Sequence, residues 1–543
     1  MPVIPFGAEP TAHVDTFCRD QLPPIELWPD LLYDSDDVQY PGRLNCAVEL
    51  LTKTSERLGA DRPCLIGLDG NDLTYGEVDR MSNQVANLLV DEYGLQPGNR
   101  VLLRSTNKPW LVIAWYAVLK AGCVVVTTVP MLRSGELTPI DRIGELNLSM
   151  CDESLLEDLQ ASSMSSRPIL IAGGAHDFIE QARKLSEDFA AVDTAADDVA
   201  MLAFTSGTSG VPKCTMHFHR DVLAIADTFS RNILKPLPDD VFIGTPPLAF
   251  TFGLGGLVIF PMRVGASTLM VPKATPAELA ELIGTHHVTI CFTAPTAYRA
   301  MVAEGSAGNL RTLRRAVSAG EHLPRSTWHA FEKATGVKLI DGIGATEMLH
   351  VFISAADDDI VPGSTGKPVP GYRAKILAND GSEAPRGERG RLAVQGPTGC
   401  RYLADERQQT YVQDGWNLTG DTFTQDEAGY FWYQSRSDDM IISSGYSIAG
   451  PEVEEALAGH SDVTECAVIG TPDESRGMLV HAFIVLAPGV DDSPAKVKEL
   501  QDFVKATIAP YKYPRAITFI EQLPKSNTGK TQRFRLRAPT AKD

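Results

Sequence analysis

Nine cysteines in 543 residues, an odd number with no two spaced as C-x-x-C, leave no basis for a disulfide framework or a thiolate zinc site. Long apolar runs are missing too. Residues 110–119 are apolar throughout, but Lys120 ends the stretch well short of a bilayer span. The first ten residues carry neither a basic region nor an extended apolar segment, so no signal peptide and no membrane partner are expected, and the expected location is cytoplasmic. Positive charge is in short supply: 49 Lys and Arg stand against 69 Asp and Glu, a formal net charge of −20. A field of that sign repels polyanions, which excludes nucleic acid as an expected partner. What is present, 43% hydrophobic and 22% charged residues, is the composition of a soluble globular chain long enough for more than one domain. A monomer or a homodimer fits equally well.

The stretch that organises the chain is L-A-F-T-S-G-T-S-G-V-P-K-C, residues 202–214. Val199, Met201, Leu202 and Phe204 read as a buried strand that stops at Thr205. Six consecutive hydroxyl or glycine residues follow: Thr205, Ser206, Gly207, Thr208, Ser209 and Gly210. Glycines let backbone amides turn toward one point, and small hydroxyls add donors there, so such a loop can cradle a polyphosphate. Lys213 adds a mobile positive charge. A Walker A loop requires glycine where Pro212 stands, so this is a phosphate loop of another kind.

The rest of the chain alternates helix-like and strand-like segments. Residues 43–58 read as a helix. Thr74 and Glu77 form a T-x-x-E capping box ahead of Val78, Met81, Val85 and Leu88 at helical spacing. Strand-like 100–103, a helix ending at Lys120 and strand-like 123–127 continue the pattern of a doubly wound α/β body. In Met216-His217-Phe218-His219-Arg220, just past the loop, a histidine reads either as a ligand contact or as a packed turn residue. Residues 245–256, T-P-P-L-A-F-T-F-G-L-G-G, suit the approach of a flat ligand to backbone, and equally a buried strand-turn. A capped helix over 275–284 and a strand over 288–292 follow. Two strands then end in small residues, at Ala319-Gly320-Glu321 and at Asp341-Gly342-Ile343-Gly344-Ala345-Thr346-Glu347, which suits a nucleotide lying across strand ends. Glu347 is the carboxylate best placed to hold Mg²⁺ against phosphates. Asp421 can accept both ribose hydroxyls and Arg436 can brace the same sugar. Residues 429–432 read as a strand. From about 437 the texture changes to a smaller unit with strands at 465–469 and 482–486 and a Lys/Arg-rich tail.

Five motifs in this order, over roughly residues 45–537, resemble the adenylate-forming superfamily of acyl-CoA synthetases, firefly luciferases and peptide-synthetase adenylation domains. The chain departs from the family pattern at Cys214, Ile343 and Ser435, where the family has glycine, an aromatic residue and glycine. Within the superfamily, P-P-L-A-F-T-F-G-L-G-G, S-A-G-E-H-L-P, D-G-I-G-A-T-E-M-L-H and Y-K-Y-P-R resemble aryl-CoA ligases of the benzoate and 2-aminobenzoate type. The resemblance implies an α/β fold with a large N-terminal domain of packed α/β subdomains with mostly parallel sheets, residues 1–436. It also implies a small mobile C-terminal α+β domain, residues 437–543, hinged at Asp438. The implied substrates and cofactors are ATP, Mg²⁺, coenzyme A and an aryl carboxylate. The implied catalytic residues are Lys530, which ends a P-K-x-x-x-G-K motif, with Thr346 and Glu347. The implied aryl pocket is Thr251, Phe252, Ala319, Gly344, His350 and Val351, and Gly445 lines the path of the CoA thiol. His350 bonds an ortho substituent or closes the pocket floor. The rival implied by the same nucleotide residues is an adenylation enzyme that loads a carrier protein.

Overall fold

Two strands buried along their whole length, Arg100–Arg104 and Val124–Thr128, form the centre of the first sheet. In a computed structural model, which describes residues 6–205, 211–320, 323, 325–378, 380–436, 441–448, 450–524 and 533–536, this sheet has six strands. Its order is Ile169–Ala172, Leu148–Asp152, Arg100–Arg104, Val124–Thr128, Val199–Thr205 and Lys213–Phe218. All neighbours run parallel except the last pair. Continuous apolar strands of this kind need cover on both faces. The apolar run at 110–119 provides some of it as the buried helix Pro109–Lys120. Lys120 does not surface where the run ends. Its ammonium is buried and bonds Asp79 Oδ1 and Asn83 Oδ1, both at 2.7 Å, on the adjacent helix Tyr75–Asn87. That helix starts at the expected Thr74–Glu77 capping box, a device that contributes about 1 kcal/mol.

The second sheet has nine strands, in the order Lys367–Pro368, Val351–Ser354, Leu339–Gly344, Arg315–Ser318, Ile290–Thr293, Val241–Gly244, Ser267–Leu269, Pro63–Ile66 and Leu73–Thr74. Its six central strands are parallel. An antiparallel sheet built on Gly390–Gln395 and Trp416–Gln425 completes the large unit. The small unit is α+β: the hairpins Ile441–Ser443/Tyr446–Ile448 and Val463–Asp473/Gly477–Leu486 pack with the helices Gly450–Ala458 and Pro494–Thr507. It closes its own core around Ile441, Leu457, Val468, Ile484, Leu500 and Val504. The expected α/β class, with a large mostly parallel unit and a small C-terminal unit, is what the chain forms.

Three local readings need correction. The helix expected from residue 43 begins at Cys46 and runs to Leu58, with wider turns over Val48–Thr52. Arg43 is instead drawn off by Asp193, with its Nε 2.6 Å from Oδ2. The strand expected from 429 runs Phe431–Arg436, because Gly429 (φ +86°) makes the turn before it. Of residues 245–256, for which a strand-turn is one of two readings, 245–250 form a turn after the strand Val241–Gly244, and from Thr251 on the stretch is helical. Its segments Thr251–Leu254, Gly255–Ile259 and Phe260–Val264 are continuous.

Candidate active site

The organising loop joins two antiparallel strands whose ends are in register, Thr205 lying opposite Lys213. Ser206, Gly207, Thr208, Ser209 and Gly210 themselves lie outside the described residues, as do Glu321, Asp438 and Lys530. Thr205 and Lys213 line the mouth of a cleft of about 1760 Å³. That exceeds the 300–1,000 Å³ of a typical single-ligand pocket, so the cleft has room for more than one substrate. Lys213 holds its ammonium 5.4 Å from the ring centre of Tyr402.

The neighbouring wall is built from the carboxyl ends of two parallel strands, Arg315–Ser318 and Leu339–Gly344, the latter continuing into a single tight turn, Thr346–Met348. Ala319, Gly320, Gly344, Ala345, Thr346 and Glu347 all face the cleft. The turn is pinned from behind. His217 Nε2 donates to the Thr346 carbonyl at 2.8 Å, and Thr398 Oγ1 donates to that of Met348 at 2.8 Å. Burial and the nearby Arg401 guanidinium lower the His217 pKa to about 3, so the ring is neutral and its Nε2 carries the donated proton. Of the two readings of His217, the structure supports the packed one. Arg401 is buried on the ring face of Phe218, 4.0 Å from its centre, and pairs with Asp221, which is also fully buried.

Glu347 is only 8% exposed, and the Tyr402 hydroxyl donates to its Oε1 at 2.5 Å. Burial and the carboxylate alongside push the Tyr402 phenol well above its ordinary pKa, so it stays a donor. Just beyond, Leu349 takes φ +68°, a left-handed conformation that costs a non-glycine residue roughly 1–2 kcal/mol. This bend lets Glu347 and His350, three residues apart, both reach the cleft.

The inner end of the cleft is apolar. Thr251 and Phe252 open the 251–264 helix, and Phe252 packs on Phe292 at 5.3 Å between ring centres. His350 is 2% exposed and sits among Phe229, Phe252 and Phe260 at 5.2, 5.8 and 4.6 Å. Burial lowers its pKa to about 3, against a weaker upward pull from the Phe252 backbone, and neither ring nitrogen closes a hydrogen bond of normal geometry. The helix glycines make this packing possible. A Cβ at Gly255 would lie 2.4 Å from His350 Cδ2, and one at Gly256 would lie 2.6 Å from Phe292 Cδ1. Gly344 backs onto the His350 carbonyl in the same way, at 2.7 Å.

Asp421 lines the opposite wall, with Arg436 as its register partner on the next strand. Asp341, Gly342 and Ile343 do not line the cleft. Ile343 packs on the main core, and the buried Asp341 carboxyl is pushed up to about 8, so it is protonated at neutral pH.

The small unit closes the cleft from above. Gly445 lies against Gly320, and the Tyr446 ring stands 6.1 Å from Phe250 and 4.2 Å from Tyr511. A charged cluster crosses the boundary. Lys512 of the small unit pairs with Glu136 of the large one and, at 2.5 Å, with Glu452 of its own unit, while Ala509 N donates to Glu136 Oε2 at 2.8 Å. Burial opposes ionisation of both carboxyls. Lys512 holds Glu136 below its ordinary value, whereas Glu452 is pushed up to about 7. The one group of three side chains arranged to ligate a metal among the described residues, His460, Asp462 and Glu499, belongs to the small unit, and Lys496 already bridges its carboxylates. The sequence reading missed Tyr402, Arg401 and the Glu136–Lys512–Glu452 cluster. Each is a lone residue in sequence whose partner lies far along the chain.

With this geometry in hand, similarity to known proteins is informative. The model of the AMP-binding enzyme family matches residues 51–402, and that of the AMP-binding enzyme C-terminal domain matches residues 452–530. A benzoate–CoA ligase of Thauera aromatica is 35% identical over 514 residues, 92% of this chain and 97% of its own. Among solved structures, the anthranilate CoA ligase AuaEII in complex with anthranoyl-AMP is 34% identical with a TM-score of 0.71, over 92% of this chain and 98% of that one. The amide bond synthetase McbA from Marinactinospora thermotolerans is 25% identical with a TM-score of 0.82, over 91% and 99%.

Proposed function

The chain belongs to the AMP-binding enzymes, on their aryl-CoA ligase branch, and from that premise we propose that it converts an aromatic carboxylate to its CoA thioester, with 2-aminobenzoate ahead of benzoate as the acid. The observation that carries the reading is the lining of the cleft. Lys213 and Glu347 line it together with an apolar group that includes Phe252, His350 and Val351.

In the first half-reaction a carboxylate oxygen attacks the α-phosphorus of ATP, the bond to the β-phosphate breaks, and pyrophosphate leaves. Two anions must meet, so charge neutralisation is the main demand. Lys213 and the loop donors Thr205, Ser206, Gly207, Thr208, Ser209 and Gly210 hold the leaving pyrophosphate. Lys530 neutralises the reacting pair. Asp421 and Arg436 hold the ribose, and Gly320, Glu321 and Gly344 flank the rest of the nucleotide, with Asp341, Gly342 and Ile343 supporting that wall from the core side. Mg²⁺ fits Glu347. Such an ion takes one or two carboxylates plus phosphate oxygens and water, and Glu347 offers a held hard-oxygen donor on the cleft wall. When bound, the ion supplies further neutralisation of the phosphates; Thr346 fixes the turn that presents Glu347.

In the second half-reaction the CoA sulfur attacks the acyl carbon, the bond to AMP breaks, AMP leaves, and the thiol proton passes to solvent. We assign residues 1–436 and 437–543 to two bodies hinged at Asp438. The present pose, with Gly445 on Gly320, is assigned to this second step, Gly445 leaving space for the thiol arm. In the acyl slot the small Ala319 and Gly344 admit a flat ring and Phe252 packs on it. An ortho amino group can donate to Thr251 Oγ1 or to an unpaired nitrogen of neutral His350, which favours 2-aminobenzoate. Nine unpaired thiols suit a reducing compartment, the cytoplasm.

The test is mass spectrometry of protein mixed with Mg·ATP, CoA and equimolar benzoate, 2-aminobenzoate, 4-hydroxybenzoate and a medium-chain fatty acid. A dominant 2-aminobenzoyl-CoA with AMP is expected. Acyl-adenylate without a CoA ester would shift the acceptor to a carrier protein, and no AMP would remove the assignment altogether. Lys530→Ala should lose adenylation yet still convert a supplied acyl-adenylate, with Gly445→Leu doing the reverse. Equal loss of both half-reactions in either variant rules out the two-pose assignment.

A further inference from the structure

Tyr402 touches both charged groups at the phosphate end of the cleft. Its hydroxyl donates to Glu347 Oε1 at 2.5 Å, and its ring lies 5.4 Å from the Lys213 ammonium. Its own position is fixed from three sides. Tyr402 bridges Thr215 on the Lys213–Phe218 strand, with Met216 N donating to Arg401 O at 2.8 Å and Leu403 N to Cys214 O at 2.9 Å. Gln408 Oε1 accepts from Tyr402 N at 2.9 Å, and Tyr411 meets the ring edge-on at 5.7 Å. The phenol is 1% exposed, so its hydrogen bond to Glu347 is shielded from exchange with water. Lys213, Tyr402 and, through His217, the Thr346 carbonyl are thus all keyed to one strand.

We propose that Tyr402 is a positioning residue for the metal step. It occupies one oxygen of Glu347 and sets the plane of the carboxylate, so that the other oxygen is presented to the Mg²⁺ of Mg·ATP, and its ring face holds the Lys213 ammonium alongside. The proposal rests on the assignment of Glu347 as the metal carboxylate. Partners of metal-ligating carboxylates commonly change metal affinity by about 10–100-fold when removed.

Tyr402→Phe deletes only the hydroxyl and keeps the ring beneath Lys213; Tyr402→Leu removes both. The full-length protein, with saturating α,β-methylene-ATP, is titrated with Mn²⁺ and free ion is read by electron paramagnetic resonance, with Glu347→Gln in parallel and thermal melts on every variant. The expected result is a 10–100-fold higher Mn²⁺ concentration at half-saturation in Tyr402→Phe, with a melt close to that of the parent. Tyr402→Leu should add a several-fold rise in the pyrophosphate KM of the reverse reaction, which Tyr402→Phe leaves unchanged. A weakened Glu347→Gln beside a Tyr402→Phe that titrates like the parent overturns the positioning role while the metal assignment stands. Neither variant shifting overturns both. A Tyr402→Phe that melts lower yet titrates normally makes the tyrosine structural and also overturns the proposal.

Discussion

Two carboxylate clusters face the same cleft and are built on opposite plans. Around Glu347, every partner belongs to the large unit: Tyr402, the His217-pinned turn and, behind them, the Arg401–Asp221 pair. Around Lys512, the charges are divided, Glu136 on the large unit and Lys512 and Glu452 on the small one. The first cluster survives any excursion of the small unit intact. The second exists only while the units are docked, because moving the small unit returns Glu136 to water and leaves Lys512 with one carboxylate. One arrangement makes a permanent site, and the other makes contact conditional on pose.

The contrast is broken most severely at Arg401. Arg401→Leu leaves Asp221 buried without its counter-ion, and loss of one member of such a pair costs about 3–5 kcal/mol. Urea unfolding followed by near-ultraviolet circular dichroism should show that loss in the large unit, and a midpoint within error of the parent would mean Asp221 simply takes up a proton. Lys512→Met should act on the other side of the comparison. Thioester formation from a supplied acyl-adenylate is expected to fall about tenfold, or roughly 1.4 kcal/mol, with ATP–pyrophosphate exchange within about twofold of the parent. If both half-reactions drop together, the cluster is not a docking contact.

The smallest effect concerns pH. The raised pKa of Glu452, about 7 against an ordinary 4.5, means the docked pose binds its proton more tightly, so its contribution to docking is lost as pH rises through 7. Glu136 is lowered and works in the opposite sense, its contribution fading only as pH falls through its depressed value. Tyr446 and Tyr511, also near the cluster, have raised pKa values and stay neutral across this window. The ratio of parent to Glu452→Gln in the second half-reaction should therefore fall between pH 6 and 8, by at most the roughly tenfold that the two Glu452 pKa values allow, a comparison that cancels ionisation of the CoA thiol itself. A flat ratio would show that Glu452 does not titrate in the docked pose.

What could be read from sequence was what is local. The capping boxes at Thr74–Glu77 and Thr275–Glu278 form as expected, because both partners lie within one turn. The Val199–Thr205 strand ends at the residue where the apolar pattern stops. The 251–264 helix was hidden by Gly253, Gly255 and Gly256. Those glycines weaken helix propensity, yet they are required by the close approach of Pro247, His350 and Phe292. Glu347 reads as a lone acid, and nothing within ten residues announces that a tyrosine 55 positions later closes on it. Tertiary partners of this kind leave no periodic trace.

Gly255 carries a lesson for anyone redesigning the acid the cleft accepts. It does not line the cleft, so a library restricted to residues that touch the acid passes over it. Yet alanine there, one base change away, would place a methyl group 2.4 Å from His350 Cδ2, and with Phe229 and Phe260 already against the ring, the imidazole, itself part of the cleft lining, has to shift. The lining is therefore adjustable from behind the wall, by a carbon that the native chain leaves out.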